Sequence, residues 1–92
     1  MPPKTEEELK SETAKWLEKL EVDIKTIKIA STFDRKATKE AMENVRAYIK
    51  DCKHFSEKGD LTRAFEAIVY AWGIYETLLR MGLITVSVEY KR

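Results

Sequence analysis

The sequence predicts an all-α fold: a three-helix antiparallel bundle with a short C-terminal extended tail, formed by a single domain of 92 residues. Three segments carry apolar residues at spacings of three and four, the pattern of amphipathic helices. Residues suited to helix caps separate these segments, and the end of the chain alternates apolar and polar side chains. We expect helices at about residues 5–29, 34–58 and 61–81 and the tail at 83–92.

The first predicted helix begins at a capping box. The Thr5 hydroxyl can accept a hydrogen bond from the Glu8 amide while the Glu8 carboxylate reaches back. Acidic residues in this turn also face the positive end of the helix. The helix has a narrow apolar stripe, with Lys, Glu and Asp elsewhere. The stripe consists of Leu9, Thr13, Trp16, Leu17, Leu20, Ile24 and Ile27.

The second predicted helix follows a turn with three candidate N-caps, Ser31, Thr32 and Asp34, among which the sequence does not choose. Gly59 suits the left-handed conformation of a helix C-cap, and Asp60 can cap the next helix at once. So short a corner makes the second and third helices antiparallel neighbours. The apolar face of this helix consists of Ala37, Ala41, Val45, Tyr48, Ile49, Cys52 and Phe55, with Met42 beside it.

The third predicted helix has the widest apolar surface, about half of its circumference. A surface this broad can cover both other helices. Gly82 then ends the helix, and Leu83 can contact Leu78 in a Schellman arrangement. The apolar surface consists of Leu61, Ala64, Phe65, Ala67, Ile68, Ala71, Trp72, Ile74, Tyr75, Leu78 and Leu79.

The tail has the pattern of a β-strand, with Ile84, Val86, Val88 and Tyr90 on its apolar side. A single strand needs a partner, and three alternatives are open. The tail covers the bundle, pairs with the same segment of a second molecule, or stays mobile. The second alternative makes these four residues a candidate self-association surface.

Composition bounds the class of protein. The net charge is +1, so no overall field attracts the chain to nucleic acid or to an anionic membrane. No apolar run approaches the roughly 18 residues of a membrane span, and the start lacks a secretory signal. Cys52 is the single cysteine, which favours a reducing compartment, and we expect a cytoplasmic protein. The chain has no Gln, one Asn and many Lys and Glu, a mix typical of proteins from hot environments.

The reactive side chains are too few to build an active site. Cys52 and His54 point in different directions on a helix, so they cannot form a thiolate–imidazole pair. We predict that Cys52 is a core residue and that His54 faces solvent. One His and one Cys cannot hold a structural zinc ion, and no calcium loop or phosphate-binding glycine loop occurs. The sequence therefore predicts no catalytic residue, no metal, no cofactor and no enzyme.

One candidate interaction groove lies on the far side of the third helix. Glu66, Tyr70, Gly73 and Thr77 follow one another at spacings of four, three and four. A glycine inside a helix costs about 1 kcal/mol relative to alanine, so it suggests close approach by a partner helix, a ligand or the tail. The alternative interpretation is that Gly73 relieves packing inside the bundle and that Tyr70 is a half-exposed rim residue.

Basic residues are numerous around the first turn, but acidic residues are interleaved with them, which favours a solvated, ion-paired surface over a nucleic-acid stripe. RNA binding through this turn is the alternative function. The basic residues are Lys15, Lys19, Lys25, Lys28, Arg35, Lys36 and Lys39.

The run from Tyr48 to Gly82 resembles the core of a small archaeal family of helical-bundle proteins known only as a domain of unknown function. The resemblance implies an archaeal source and an all-helical fold, and it implies no activity. It is carried by Tyr48, Asp51, Phe55, Gly59, Asp60, Ala64, Tyr70, Ala71, Gly73 and the Leu-Leu-x-x-Gly that ends at Gly82.

A weaker resemblance is to the helical domains that accompany minimal nucleotidyltransferases. The related ribonucleases place His four to six residues after Arg, whereas Arg46 and His54 are eight apart here, so that motif is absent. RNA cleavage is kept as a third hypothesis on this resemblance alone. The leading hypothesis is a non-catalytic protein-interaction or self-association module.

Overall fold

The computed structural model describes residues 5–30 and 33–87. Three helices dominate this part of the chain, and two short strands follow the first and the last of them. In chain order the elements are α1 (Glu6–Ile24), β1 (Lys28–Ile29), α2 (Arg35–Glu57), α3 (Leu61–Arg80) and β2 (Ile84–Thr85). The predicted all-α class and the three helices are confirmed. No helix among the described residues is both long enough and apolar enough to cross a membrane.

The helices run up, down and up. Along α1, Trp16 and then Asp23 contact Trp72 and then Tyr75 of α3, so these two helices run in the same direction. The α2 helix runs the opposite way. Its Tyr48 contacts Tyr70 of α3, whereas Phe55, further along α2, contacts Arg63, which comes earlier in α3. Parallel α1 and α3 bring their C-terminal ends to the same end of the bundle.

The corner between α2 and α3 has the predicted form. Gly59 adopts a positive φ of 78°, and its amide donates to the Ser56 carbonyl at 3.1 Å. The Asp60 amide donates to the Phe55 carbonyl at 2.9 Å, which completes a Schellman motif. The Asp60 carboxylate accepts from the Arg63 amide at 3.2 Å and so caps α3. One two-residue corner therefore ends one helix and begins the next.

The end of α3 repeats this geometry. Gly82 has a φ of 70°. Its amide donates to the Leu79 carbonyl, and the Leu83 amide donates to the Leu78 carbonyl, both at 3.0 Å. These hydrogen bonds fix the direction in which the chain leaves α3, and β2 then pairs with β1.

The first helix is shorter than the predicted range to residue 29. Thr5 caps it as expected, with its hydroxyl accepting from the Glu8 amide at 3.0 Å. The helix ends at Ile24, and β1 then pairs antiparallel with β2. In the register, Ile29 faces Ile84, and the Ala30 amide extends the ladder by donating to the Leu83 carbonyl at 2.9 Å. The described part of the tail therefore packs on the bundle, the first of the three alternatives, and it does so by pairing with a strand of its own chain, which was not expected.

The core lies where both other helices meet α3. Cys52 is fully buried in it, as predicted. Two assignments of the apolar stripes are wrong. Ala37 is exposed and Thr38 is buried in its place, and the Thr38 hydroxyl is satisfied there because it donates to the Asp34 carbonyl at 3.1 Å. Asp23 was placed on the polar surface of the first helix, yet only 1% of it is exposed. The buried apolar residues are Leu20, Met42, Val45, Ile49, Cys52, Ala64, Ala67, Ile68, Ala71, Tyr75, Leu78 and Ile84.

The second helix uses one of the three candidate caps. Asp34 has a positive φ of 48°, and its carboxylate accepts from the Ala37 amide at 3.4 Å. A left-handed conformation is tolerated by Asp better than by most residues. The other two candidates, Ser31 and Thr32, lie outside the described residues.

Candidate functional site

The outward side of α3 carries the four residues of the predicted groove. Glu66, Tyr70, Gly73 and Thr77 are all exposed and form a row along the helix. The Tyr70 ring stacks on Tyr48 of α2 with centroids 5.6 Å apart, yet 60% of the residue remains exposed. The Thr77 hydroxyl donates to the Gly73 carbonyl at 2.8 Å. We call these four residues the α3 row.

A concave surface lies beside the α3 row, between α3 and α1. It is a cleft of about 400 Å³, and Gly73 belongs both to the cleft and to the row. The residue spacing predicted a groove along the row alone, whereas the structure places the concavity towards α1. The cleft is lined by Glu12 and Trp16 of α1 and by Phe65, Ile68, Val69, Trp72, Gly73 and Glu76 of α3.

Two tryptophans fix the shape of this cleft. The rings of Trp16 and Trp72 meet edge to face, with centroids 5.5 Å apart. The Trp72 indole N–H donates to the Trp16 carbonyl at 2.9 Å, and the Trp16 indole N–H donates to the Glu12 carboxylate at 2.9 Å. Because both indoles have an acceptor, neither ring turns without losing a hydrogen bond. The apolar wall of the cleft is therefore held in place before any ligand arrives.

The cleft is acidic at its edges. Glu12 and Glu76 contribute carboxylates to its lining, and Glu66 follows on the exposed row. The hydrogen bond from Trp16 lowers the pKa of Glu12, so this group stays charged at neutral pH. Lys15 forms an exposed ion pair with Glu12 at 3.5 Å. The combination of an apolar wall and carboxylates suits a protein segment that carries apolar and basic side chains.

Gly73 faces open space. A methyl group added at its Cα would meet no atom within 4 Å among the described residues. Gly73 therefore does not relieve packing inside the bundle, and the alternative interpretation offered for it is wrong in that respect. The packing of residues 5–30 and 33–87 therefore gives no reason for a glycine at this helical position.

The predicted self-association tail is only partly accessible. Ile84 is 1% exposed and packs in the core as part of β2, and Val86 is half-buried against the core. The Ser87 amide donates to the Thr26 hydroxyl at 3.1 Å, which continues the attachment of the tail to the bundle. Val88 and Tyr90 lie outside the described residues.

Asp23 and Tyr75 form a buried link between α1 and α3. The Tyr75 hydroxyl donates to one Asp23 carboxylate oxygen at 2.9 Å, and the other oxygen has no hydrogen-bond partner among the described residues. Burial raises the pKa of Asp23, and the hydrogen bond from Tyr75 opposes this shift. Burial also raises the pKa of Tyr75, with a further contribution from Asp23, so the phenol remains a donor. The link fixes the two helices and does not line the cleft.

The residues considered for chemistry are dispersed. Cys52 is completely buried, and burial raises the pKa of its thiol, which disfavours the reactive thiolate. His54 is exposed and lies edge to face with Phe55. Within residues 5–30 and 33–87, no three His, Cys, Asp or Glu side chains are grouped so that they could hold a metal ion.

The basic residues of the first turn divide into two groups. Lys15 and Lys19 lie over the Trp16 ring, at 5.2 and 4.7 Å from its centroid. The remaining five are exposed around the connection from α1 to α2, and the first turn of α2 has no acidic residue. These five are Lys25, Lys28, Arg35, Lys36 and Lys39.

The cleft residues of α1 were missed as functional candidates because the sequence analysis assigned Trp16 to the core. A signal was present, since Trp16 and Trp72 both stand at the edge of an apolar stripe, where a large ring is only half-buried. Glu12 stands four residues before Trp16, the spacing at which a helical carboxylate meets an indole N–H. Together these features indicate a polar-edged aromatic surface.

Comparison with known proteins gives one family and one similar structure to report. The family described as "Protein of unknown function (DUF357)" matches residues 15–84. The crystal structure of protein AF1782 from Archaeoglobus fulgidus, a member of that family, is similar with a TM-score of 0.76 and 43% identity, over 89% of this chain and 97% of that one. No curated protein matches. Both findings confirm the expected resemblance to an archaeal helical family.

Proposed function

We infer that this chain, which belongs to the DUF357 family of proteins of unknown function, is a non-catalytic module that binds protein through the outward side of α3. The proposed contact surface is the α3 row together with the cleft beside it, and we call it the docking face. The observation that carries the proposal is Gly73. An exposed helical glycine is unfavourable by about 1 kcal/mol, and none of the described residues occupies the space above Gly73, so a contact with another molecule would account for it.

The neighbours of Gly73 support contact with a protein. Val69 and Tyr70 are 50% and 60% exposed, and both lie within one turn of Gly73. Exposed apolar and aromatic side chains beside a preformed apolar cleft are typical of interaction surfaces. A helix can approach closely over a glycine, and its apolar side chains can then enter the cleft against Trp16 and Trp72.

The non-catalytic part of the proposal rests on the same geometry. The cleft contains carboxylates and indoles but no nucleophile, since Cys52 lies in the core and His54 is on another surface. The cleft carboxylate with a shifted pKa, Glu12, has a lowered value, so it is a poor proton donor at neutral pH. A binding surface is the role that these groups fit.

Site-specific photo-crosslinking tests the proposed function. A photoreactive phenylalanine analogue replaces Val69 in the full chain, which is illuminated both as pure protein and in an extract of the source organism. We expect a discrete covalent adduct with a protein in at least one of these conditions. The matched control carries the analogue at Ala47, an exposed residue of α2 outside the docking face.

The comparison between the two positions decides the outcome. Adducts at Val69 and not at Ala47 support the docking face. If Val69 gives no more adduct than Ala47 in both conditions, the proposed function is wrong.

RNA binding is the second candidate function. It is favoured by the five exposed basic residues around the α1–α2 connection and by the lack of acid in the first turn of α2. If it holds, titration with mixed-sequence RNA gives an affinity that falls steeply as salt rises, because phosphate contacts release counterions. Binding that is absent at low salt, or that does not respond to salt, removes this candidate.

A further inference from the structure

We propose that the occupant of the docking face is a second copy of this chain, with two α3 helices that cross antiparallel at Gly73. This inference rests on the proposed function and names its partner. It is drawn from the order of the charged and apolar residues on either side of Gly73, all of which are exposed on one side of α3.

The charges on the exposed side of α3, one at Glu66 in the docking face and one at Arg80 just beyond Thr77, are arranged for an antiparallel copy. Glu66 lies seven residues before Gly73, and Arg80 lies seven residues after it. Seven residues are close to two helical turns, so the three residues share one line along α3. When two such helices cross antiparallel at Gly73, Glu66 of each copy faces Arg80 of the other. Two-fold symmetry makes the same favourable pair twice.

The residues between these charges are also complementary. In the same crossing, Val69 of one copy lies on the same edge as Glu76 of the second copy, and Tyr70 lies on the same edge as Thr77, since these residues stand three or four positions from Gly73. The Tyr70 ring can pack against the Thr77 methyl group, and the Val69 side chain can pack against the aliphatic part of Glu76. A parallel crossing would instead place Glu66 against Glu66 and Arg80 against Arg80. The charge pattern therefore selects the antiparallel arrangement.

The glycine gives this crossing its geometry. Because no described residue lies within 4 Å of a methyl group placed on Gly73, the backbone of a second helix can come close at the crossing point. Close approach at Gly73 also shortens the distance between Glu66 of one copy and Arg80 of the other, which lie about two turns from the crossing point. The contacting stretch from residue 66 to residue 80 is about 21 Å long, so the inference concerns a compact interface in which each charge pair matters.

Charge reversal measured by sedimentation equilibrium tests the inference. The full chain is compared with Glu66→Arg, with Arg80→Glu and with the double variant, over about three decades of concentration up to about 1 mM. We expect the wild type to dimerise and each single variant to raise the dissociation constant about tenfold, because each change turns two attractive pairs into repulsive ones. The double variant restores both pairs with reversed sign, so its dissociation constant should return to within a few-fold of the wild type.

A matched control is available on α2. Glu43 and Lys50 are also exposed and also seven residues apart, but they lie outside the docking face. The variants Glu43→Arg and Lys50→Glu should leave the dissociation constant unchanged. Circular dichroism of each variant checks that the helices are retained.

Three results would overturn the inference: a wild type that is monomeric at every concentration, single reversals with no effect, or a double variant as weak as the single ones. The crosslinking experiment separates this failure from that of the proposed function. If the chain is monomeric but Val69 still forms an adduct with a different protein, the proposed dimer is wrong and the docking face remains supported. If the chain is monomeric and Val69 forms no adduct, both the proposed dimer and the proposed function are wrong.

Discussion

Replacement of Leu20 by Ala is expected to lower the free energy of unfolding by about 3 kcal/mol, within the range for truncation of a buried leucine. Leu20 is completely buried, and it is the only residue of α1 among the buried apolar residues of the described chain. Its loss leaves a cavity where α1 packs on the rest of the core. Denaturant unfolding followed by circular dichroism measures the effect.

Val22→Ala is the matched control for this prediction. Val22 lies two residues further along α1, on its outer side, and is 44% exposed. Its truncation should change the free energy of unfolding by no more than about 0.5 kcal/mol. Equal effects of the two variants would show that α1 is not anchored through Leu20.

Tyr75→Phe is expected to lower the free energy of unfolding by about 2 kcal/mol at pH 7, the cost of removing a buried hydrogen bond to a charged group. The change leaves the Asp23 carboxylate buried with no donor from Tyr75, so the pKa of Asp23 should rise further. Tyr70→Phe, which removes an exposed hydroxyl, serves as the control and should cost no more than about 0.5 kcal/mol.

The effect of Tyr75→Phe should depend on pH. Because the pKa of Asp23 is higher in the fold than its ordinary value of 3.8, the stability that it contributes is fully present below that value and is lost as pH rises through the folded pKa. In Tyr75→Phe this loss is larger and extends to higher pH. The difference between wild type and variant should therefore be smallest near pH 3.5 and grow towards pH 7. Introducing Asp23→Asn into both proteins should remove the pH dependence of that difference, and its persistence would assign the effect to another group.

The ends of α2 and α3 could be predicted because local chemistry determines them. Gly59 and Gly82 adopt positive φ, and Asp60 accepts from the next helix, so each signal acts within a few residues. The packing of α3 against two helices could also be predicted, because its apolar surface covers about half of the circumference and is wider than one partner helix can bury. For these elements the sequence pattern and the packing agree.

The end of α1 could not be read locally because a distant segment determines it. Ile27 continues an apolar pattern that fits a helix, but β2 competes for the backbone of β1 through strand pairing. The β-branched residues Thr26, Ile27 and Ile29 do favour a strand. The pairing of β1 with β2 can be predicted only once α1 and α3 are known to be parallel, because the two strands then start at the same end of the bundle.

The candidate site was predictable only in part for a similar reason. Glu66, Tyr70, Gly73 and Thr77 could be assigned to one side of α3 from their spacing. The cleft beside them depends on the distance between α1 and Gly73. Contacts between Trp16 and Trp72, which are far apart in sequence, set that distance. The burial of Asp23 also needed its partner Tyr75, which is distant in sequence.

If Gly73 serves a contact outside the single chain, Gly73→Ala should make the monomer more stable and its association weaker, and two measurements on this one variant check both effects. Denaturant unfolding of dilute monomer should show a free energy of unfolding higher by about 1 kcal/mol, because alanine is the better helix former and its methyl group meets no atom of the described residues. Sedimentation equilibrium should show self-association weakened at least several-fold. Gly59→Ala should instead destabilise the chain, since Gly59 needs its positive φ. A Gly73→Ala variant that is less stable than the wild type, or that associates as well as it does, would contradict the account.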